Sequence, residues 1–136
     1  MILIFPWSQK LDNGKRNPKN YHRWPEVVHQ LAQKLDQRVF ETCQVSRSGE
    51  PDIGCRSRSD DLPFEGLRKR ILECDCWISV DSFAQHMAWT LGKPGVVIFG
   101  QSDPEIFGHP ENINLLKGRR YLRERQFWLW TQCEPN

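Results

Sequence analysis

No N-terminal leader, no disulfide or zinc framework and no dominant charge sign can be read in this sequence. The apolar run Met1-Ile2-Leu3-Ile4-Phe5 stops after five residues at Pro6, against about 20 for a membrane-spanning helix. No basic region precedes it, so it reads as a buried first strand and not as a secretory signal. The five cysteines (Cys43, Cys55, Cys74, Cys76, Cys133) are odd in number, and Cys74-Asp75-Cys76 is C-x-C rather than C-x-x-C. His22, His29, His86 and His109 are scattered. That spacing offers no zinc site and favours reduced thiols in a cytoplasmic protein. Neither a metal nor a cofactor is expected. The formal net charge is only +2, too little to argue for nucleic acid. There are no repeats and no low-complexity segment.

What is present is one domain's worth of alternating elements. The 136 residues suffice for a single core, expected over about 1–110 with an extension over 111–136. Ile2–Phe5 reads as a strand, followed by a long polar loop from Trp7 to Arg23 with turn signals at Asn13-Gly14 and Asn17-Pro18. Trp24-Pro25 opens a helix with proline at its first position, and Val27, Val28, Leu31 and Leu35 give it one apolar stripe through about Gln37. Val39–Val45 alternates as a second strand, and Ser46–Asp61 reads as loop. Pro63–Glu73 is a second helix, Cys76–Val80 a third strand, Ser82–Leu91 a third helix and Val96–Phe99 a fourth strand. The order β-α-β-α-β-α-β predicts a doubly wound, mainly parallel, Rossmann-like sheet with helices on both faces. Beyond Gln101, Ile113–Leu116 and Tyr121-Leu122 are expected as short edge strands and Gln126–Gln132 as a terminal helix.

The chemistry-bearing residues gather at carboxyl ends of these strands, where ligands of such sheets bind. Asp81-Ser82-x-x-Gln85-His86 has capping-box spacing. It presents a helix N-terminus, with free N–H groups and the positive end of a dipole, to any anion at the sheet edge. Asp81 suits a sugar hydroxyl, and His86 lies one turn in. Gly100-Gln101-Ser102-Asp103-Pro104 follows the last central strand; Gly100 allows close backbone approach, and Ser102 and Asp103 offer polar contacts or a plain turn before proline. Gly49-Glu50 follows the second strand, where an acid often holds a ribose. Lys19-Asn20-Tyr21-His22-Arg23 precedes a helix and suits a diphosphate. The basic clusters Lys10 to Arg23 and Arg47 to Arg58 face either solvent or an anion. The cluster Lys117 to Arg125 is expected to be solvated.

In order, His22-Arg23-Trp24-Pro25, Gly49-Glu50, Asp81 to His86 and Gly92-Lys93-Pro94 through Phe99 to Pro104 resemble the C-terminal half of the family 9 glycosyltransferases. These are the heptosyltransferase type with the GT-B fold. That half binds the nucleotide sugar, ADP- or UDP-linked. The resemblance implies that Asp81, Ser82 and His86 meet the diphosphate and sugar. It further implies that Arg23 or His22, with Lys19 as a further candidate, faces the phosphates, and that Glu50 holds the ribose or base. Two departures stand out. Phe83 replaces the family's glycine, and the N-terminal acceptor domain, which carries the catalytic base, has no counterpart here. The resemblance therefore implies a nucleotide-sugar-binding module without autonomous catalysis. The alternatives are a glycosyltransferase completed by a homodimer or a separate acceptor-domain subunit, and a non-catalytic interaction or nucleic-acid-binding domain.

Overall fold

A computed structural model describes residues 1–36 and 38–127. Six strands, all paired in parallel, form one sheet in the order β3-β2-β1-β4-β5-β6. The elements are β1 Ile2–Phe5, α1 Trp24–Lys34, β2 Thr42–Ser46, β3 Ser57–Asp60, α2 Phe64–Glu73, β4 Cys76–Val80, α3 Phe83–Thr90, β5 Val96–Phe99, α4 Pro104–Phe107 and β6 Ile113–Leu116. This is the doubly wound, Rossmann-like strand order, which reverses direction between β1 and β4.

The period of two along each strand divides the core between the faces. Leu3, Phe5, Trp77 and Val97 pack with Ile71 of α2 and Ala84, Met87 and Ala88 of α3. Ile2, Ile4 and Val80 pack with Trp24 and Val28 of α1 on the other side. Helices therefore cover both faces. Trp24 and Trp77 are fully buried, each with its indole N–H satisfied, by Pro6 O at 3.1 Å and Lys93 O at 2.9 Å respectively. Burial of side chains this size contributes roughly 3 kcal/mol each.

Several expectations need correction. The stretch Ser46–Asp61 is not all loop, because Ser57–Asp60 pairs in register with Cys43–Ser46 as edge strand β3. Its sequence, SRSD, has no apolar face, and what makes it a strand is the backbone ladder to β2. The short crossover between them is pinned by buried Gln44, which donates to Ser46 Oγ and Pro51 O and accepts from the Ile53 N–H. Strand β2 begins at Thr42, not Val39. Helix α1 ends at Lys34, short of Gln37, which lies outside the described residues. Ile113–Leu116 is the opposite edge strand, as expected, whereas Tyr121 closes a 3₁₀ turn, Arg119–Tyr121. Arg119 turns the chain back to reach Asp103, and Lys117 and Arg120 lie over the Tyr121 ring, each at 4.8 Å. Gln126 and Phe127 sit in a turn, and the remainder of the expected terminal helix lies outside the described residues. No helix among the described residues is long and apolar enough to cross a membrane.

Candidate nucleotide site at the sheet switch point

A cavity of about 330 Å³ opens at the carboxyl edge where the strand order reverses. The loop after β1 supplies Trp7, Ser8 and Lys19; the loop after β2 supplies Arg47 and Glu50; β4 and α3 supply Asp81, Ser82 and Phe83. At its centre is Asp81, only 3 % exposed. Gln85 Nε2 donates to Asp81 Oδ1 at 2.6 Å, and Lys19 Nζ lies 3.3 Å from Oδ2. The Ser8 hydroxyl donates to the Asp81 carbonyl at 2.9 Å, which ties the β1 and β4 loops together.

The capping box is not formed. Ser82 occupies the N-cap position with extended backbone, but its hydroxyl makes no cap bond, and Gln85 turns to Asp81 instead. The first-turn amides of α3 therefore remain open toward the cavity with the positive end of the helix dipole behind them. At α4 the opposite holds. Asp103 accepts from the Glu105 N–H at 2.9 Å and pairs with Arg119 at 2.7 Å, so its carboxylate is engaged within the fold.

The cavity's acids are neutralised locally. Glu50 accepts from the Arg47 N–H at 2.6 Å and faces its guanidinium at 3.7 Å. Asp61, the one non-glycine residue with positive φ (55) among the described residues, accepts from the Ser48 N–H and hydroxyl. These bonds hold the Asp61 carboxyl below the ordinary carboxylate range. Backbone held in this region is strained and clusters at functional sites. The cavity thus presents amide donors at one end and carboxylate acceptors along its walls. That set suits a polyhydroxylated ligand carrying an anionic group.

The expected residues divide. Lys19, Glu50, Asp81 and Ser82 line the cavity together, and Gln85 supports Asp81 from beneath. Arg23 is exposed and faces Glu26 at 3.9 Å; neither it nor the exposed His22 lines this cavity. Gly100, Ser102 and Asp103 lie on the β5 side, also outside it. His86 points instead to His109, with Nδ1 2.8 Å from His109 Nε2, while Trp89 stacks on the His109 ring at 4.8 Å. Phe83 stands at the rim, 60 % exposed, and does not fill the space. The sequence reading missed Trp7, Ser8 and Asp61, and had Arg47 only within a basic cluster facing either solvent or an anion. The signal that finds them is the strand-end rule applied to every strand, because each lies just beyond β1, β2 or β3.

Desolvation lowers the His86 pKa, and His109 and Lys19 push the same way against Asp81. A histidine whose folded pKa is depressed contributes stability that is present above its unfolded value of about 6.5 and lost as pH falls through the folded value. In a ¹H NMR titration His86 should have a midpoint below that of a free histidine, and His109→Ala should raise it. For Asp103, the Arg119 guanidinium holds the carboxyl below its usual range. Its contribution is present above about pH 4 and lost as pH falls further. Asp103→Asn should therefore flatten the acid limb of a stability–pH curve measured by urea unfolding.

Cys43, Cys55, Cys74 and Cys76 are free thiols, and burial pushes Cys55 up to about 11. A thiol raised that far is a poor nucleophile at neutral pH. Among the described residues no group of three or more metal-ligating side chains converges.

Residues 61–122 match the family model described as Glycosyltransferase family 9 (heptosyltransferase). No curated protein matches the sequence. Among solved structures, the E. coli heptosyltransferase WaaC with ADP is similar, with a TM-score of 0.67 at 16 % identity over 93 % of this chain. The chain spans 40 % of that protein's length. At this identity the likeness establishes the fold, while the match over residues 61–122 carries the resemblance to the family, through β4, α3 and β5.

Proposed function

We propose, from a chain that matches the family 9 glycosyltransferase model over residues 61–122, that this domain binds a nucleotide or nucleotide-sugar diphosphate in the cavity between β1 and β4. The single observation that carries the reading is the uncapped N-terminus of α3 opening into that cavity beside the Lys19–Asp81 pair. The diphosphate accepts from the first-turn amides of α3 and from Lys19, while Asp81 and Glu50 accept from sugar hydroxyls. Because Rossmann-like neighbours of this kind bind at the switch point, the site lies where the fold itself favours a ligand. The solved relative with ADP bound supports the choice of nucleotide. The four free thiols of the described residues fit a reducing, cytoplasmic setting.

In this reading the domain holds a donor without transferring its sugar, since the cavity's carboxylates are engaged within the fold, Asp81 by Gln85 and Lys19, Glu50 by Arg47 and Asp61 by Ser48. Glycosyl transfer once an acceptor-side surface is supplied, by a homodimer partner or another subunit, is the second reading. It is favoured by the match that runs through the Asp81–His86 and Gly92–Asp103 segments. A thermal-melt panel of ADP, UDP and their sugar conjugates tests the proposal. ADP or an ADP- or UDP-sugar should raise the Tm, by RT ln(1 + [L]/Kd) in free energy, about 2.7 kcal/mol at 100 times Kd. A flat response across the panel rejects nucleotide binding. Nucleotide release by the purified single chain with candidate acceptors would overturn the non-catalytic reading.

A further inference from the structure

A second and larger cavity, about 720 Å³, adjoins the first and shares Trp7, Ser8, Gln9, Arg47 and Glu50 with it. Its other wall is the long loop after β1. That loop is built rather than slack. The Leu11 N–H donates to Lys15 O and the Gly14 N–H to Leu11 O, with Gly14 at φ +78, closing a tight turn at the tip. The Asn20 side chain accepts from the Ser8 N–H at 2.8 Å, and Asn17 donates to Gln9 O at 3.0 Å, which holds the base of the loop. The Trp7 indole donates to Pro51 O at 2.9 Å and fixes the loop against the β2–β3 crossover.

This scaffold carries Lys10, Arg16 and Arg47 around the cavity against the single carboxylate of Glu50, which Arg47 already neutralises. Among the described residues neither Lys10 nor Arg16 meets a carboxylate. The Arg16 guanidinium lies over the Trp7 ring, 5.0 Å from its centroid. Two uncompensated cations beside an indole, with amide and hydroxyl groups from Asn20, Gln9 and Ser48 between them, form a different donor set from that of the first cavity. There, carboxylates outnumber cations.

We infer that this cavity is a second ligand site, for a sugar bearing a phosphate or carboxylate group, with the anion on Lys10, Arg16 and Arg47 and the pyranose hydroxyls on the neutral polar groups. The site stands on its own lining.

The test is titration of ¹⁵N-labelled full chain with glucose 6-phosphate, glucuronate, glucose and inorganic phosphate, following the Trp7 indole N–H, with and without saturating ADP. Glucose 6-phosphate, glucuronate or both should shift the Trp7 signal whether or not ADP is present; which of the two binds identifies the anion. Lys10→Ala/Arg16→Ala, two exposed loop positions, should weaken that binding at least 10-fold and leave the response to ADP in place. Failure of both anionic sugars to bind overturns the inference even if ADP binds. Competition with ADP overturns it too, since the anion would then belong to the first cavity. Equal binding of glucose overturns the anionic assignment, and equal binding of inorganic phosphate overturns the carbohydrate one. A lack of response to ADP alongside a sugar-phosphate shift removes only the nucleotide reading.

Discussion

Lys19→Ala should weaken ADP binding by roughly 10- to 100-fold, the equivalent of losing one hydrogen bond to a charged group. Two effects act together. The ammonium that would meet the diphosphate is gone, and Asp81 is left as a nearly buried carboxylate without its cation, 3.3 Å from where the ammonium stood. That carboxylate would then repel a diphosphate bound beside it. Lys19→Arg should keep most of the affinity, since the charge survives even though the guanidinium fork is a different shape. Isothermal titration of the three proteins with ADP decides it. Equal affinity in wild type and Lys19→Ala would place the diphosphate away from this cation. Asp81→Ala is a less specific probe, because it also strips Gln85 Nε2 of its acceptor in a buried setting. It should reduce both stability, by about 1–3 kcal/mol, and binding.

The largest effect on stability is expected far from the site. A Cβ at Gly95 would stand 2.3, 2.4 and 2.7 Å from three atoms of the Trp77 ring. The ring cannot retreat, being fully buried with its N–H committed to Lys93 O. Nor can the backbone, because the Gly95 N–H donates to Asn112 Oδ1 at 3.0 Å and its carbonyl accepts from the Ile113 N–H at 2.9 Å. Gly95→Ala should therefore cost about 3 kcal/mol, near the upper end of ordinary overpacking, and lower the Tm by roughly 10 °C. Combined with Trp77→Leu, which makes room, the losses should be less than additive. A Tm within about 2 °C of wild type for Gly95→Ala would contradict the packing described between β4 and the β5 entrance.

Much of the architecture was legible because the decisive signals are local. Apolar runs marked β1, β4 and β5, Trp24-Pro25 marked the start of α1, and Gly92-Lys93-Pro94 marked the end of α3; Gly92 takes a positive φ of 69. What was not legible depends on partners distant in sequence. SRSD becomes a strand because β2 offers it a ladder. Tyr121 leaves the sheet because Arg119 is drawn to Asp103. The site divided along the same line. Asp81 and Ser82 follow β4 directly, Glu50 and Lys19 lie in the loops after β2 and β1, and the topology brings these segments together whatever their spacing in sequence. For Gln85 and His86, spacing alone allowed a capping box and a phosphate ligand, and did not give their partners within the fold. In three dimensions Asp81 captures the Gln85 amide, and His109 meets the imidazole. Asp81 belongs to the same motif, four residues before Gln85, whereas His109 lies 23 residues beyond His86.

The most direct test of a diphosphate at the α3 N-terminus is chemical-shift mapping of ADP on the ¹⁵N-labelled protein, with adenosine as control. The prediction is that ADP, and not adenosine, produces its largest backbone amide shifts at Phe83, Ala84 and Gln85, with a further change at Lys19. Shifts that centre on the Asp103–Phe107 turn, or that adenosine reproduces in full, would contradict the account.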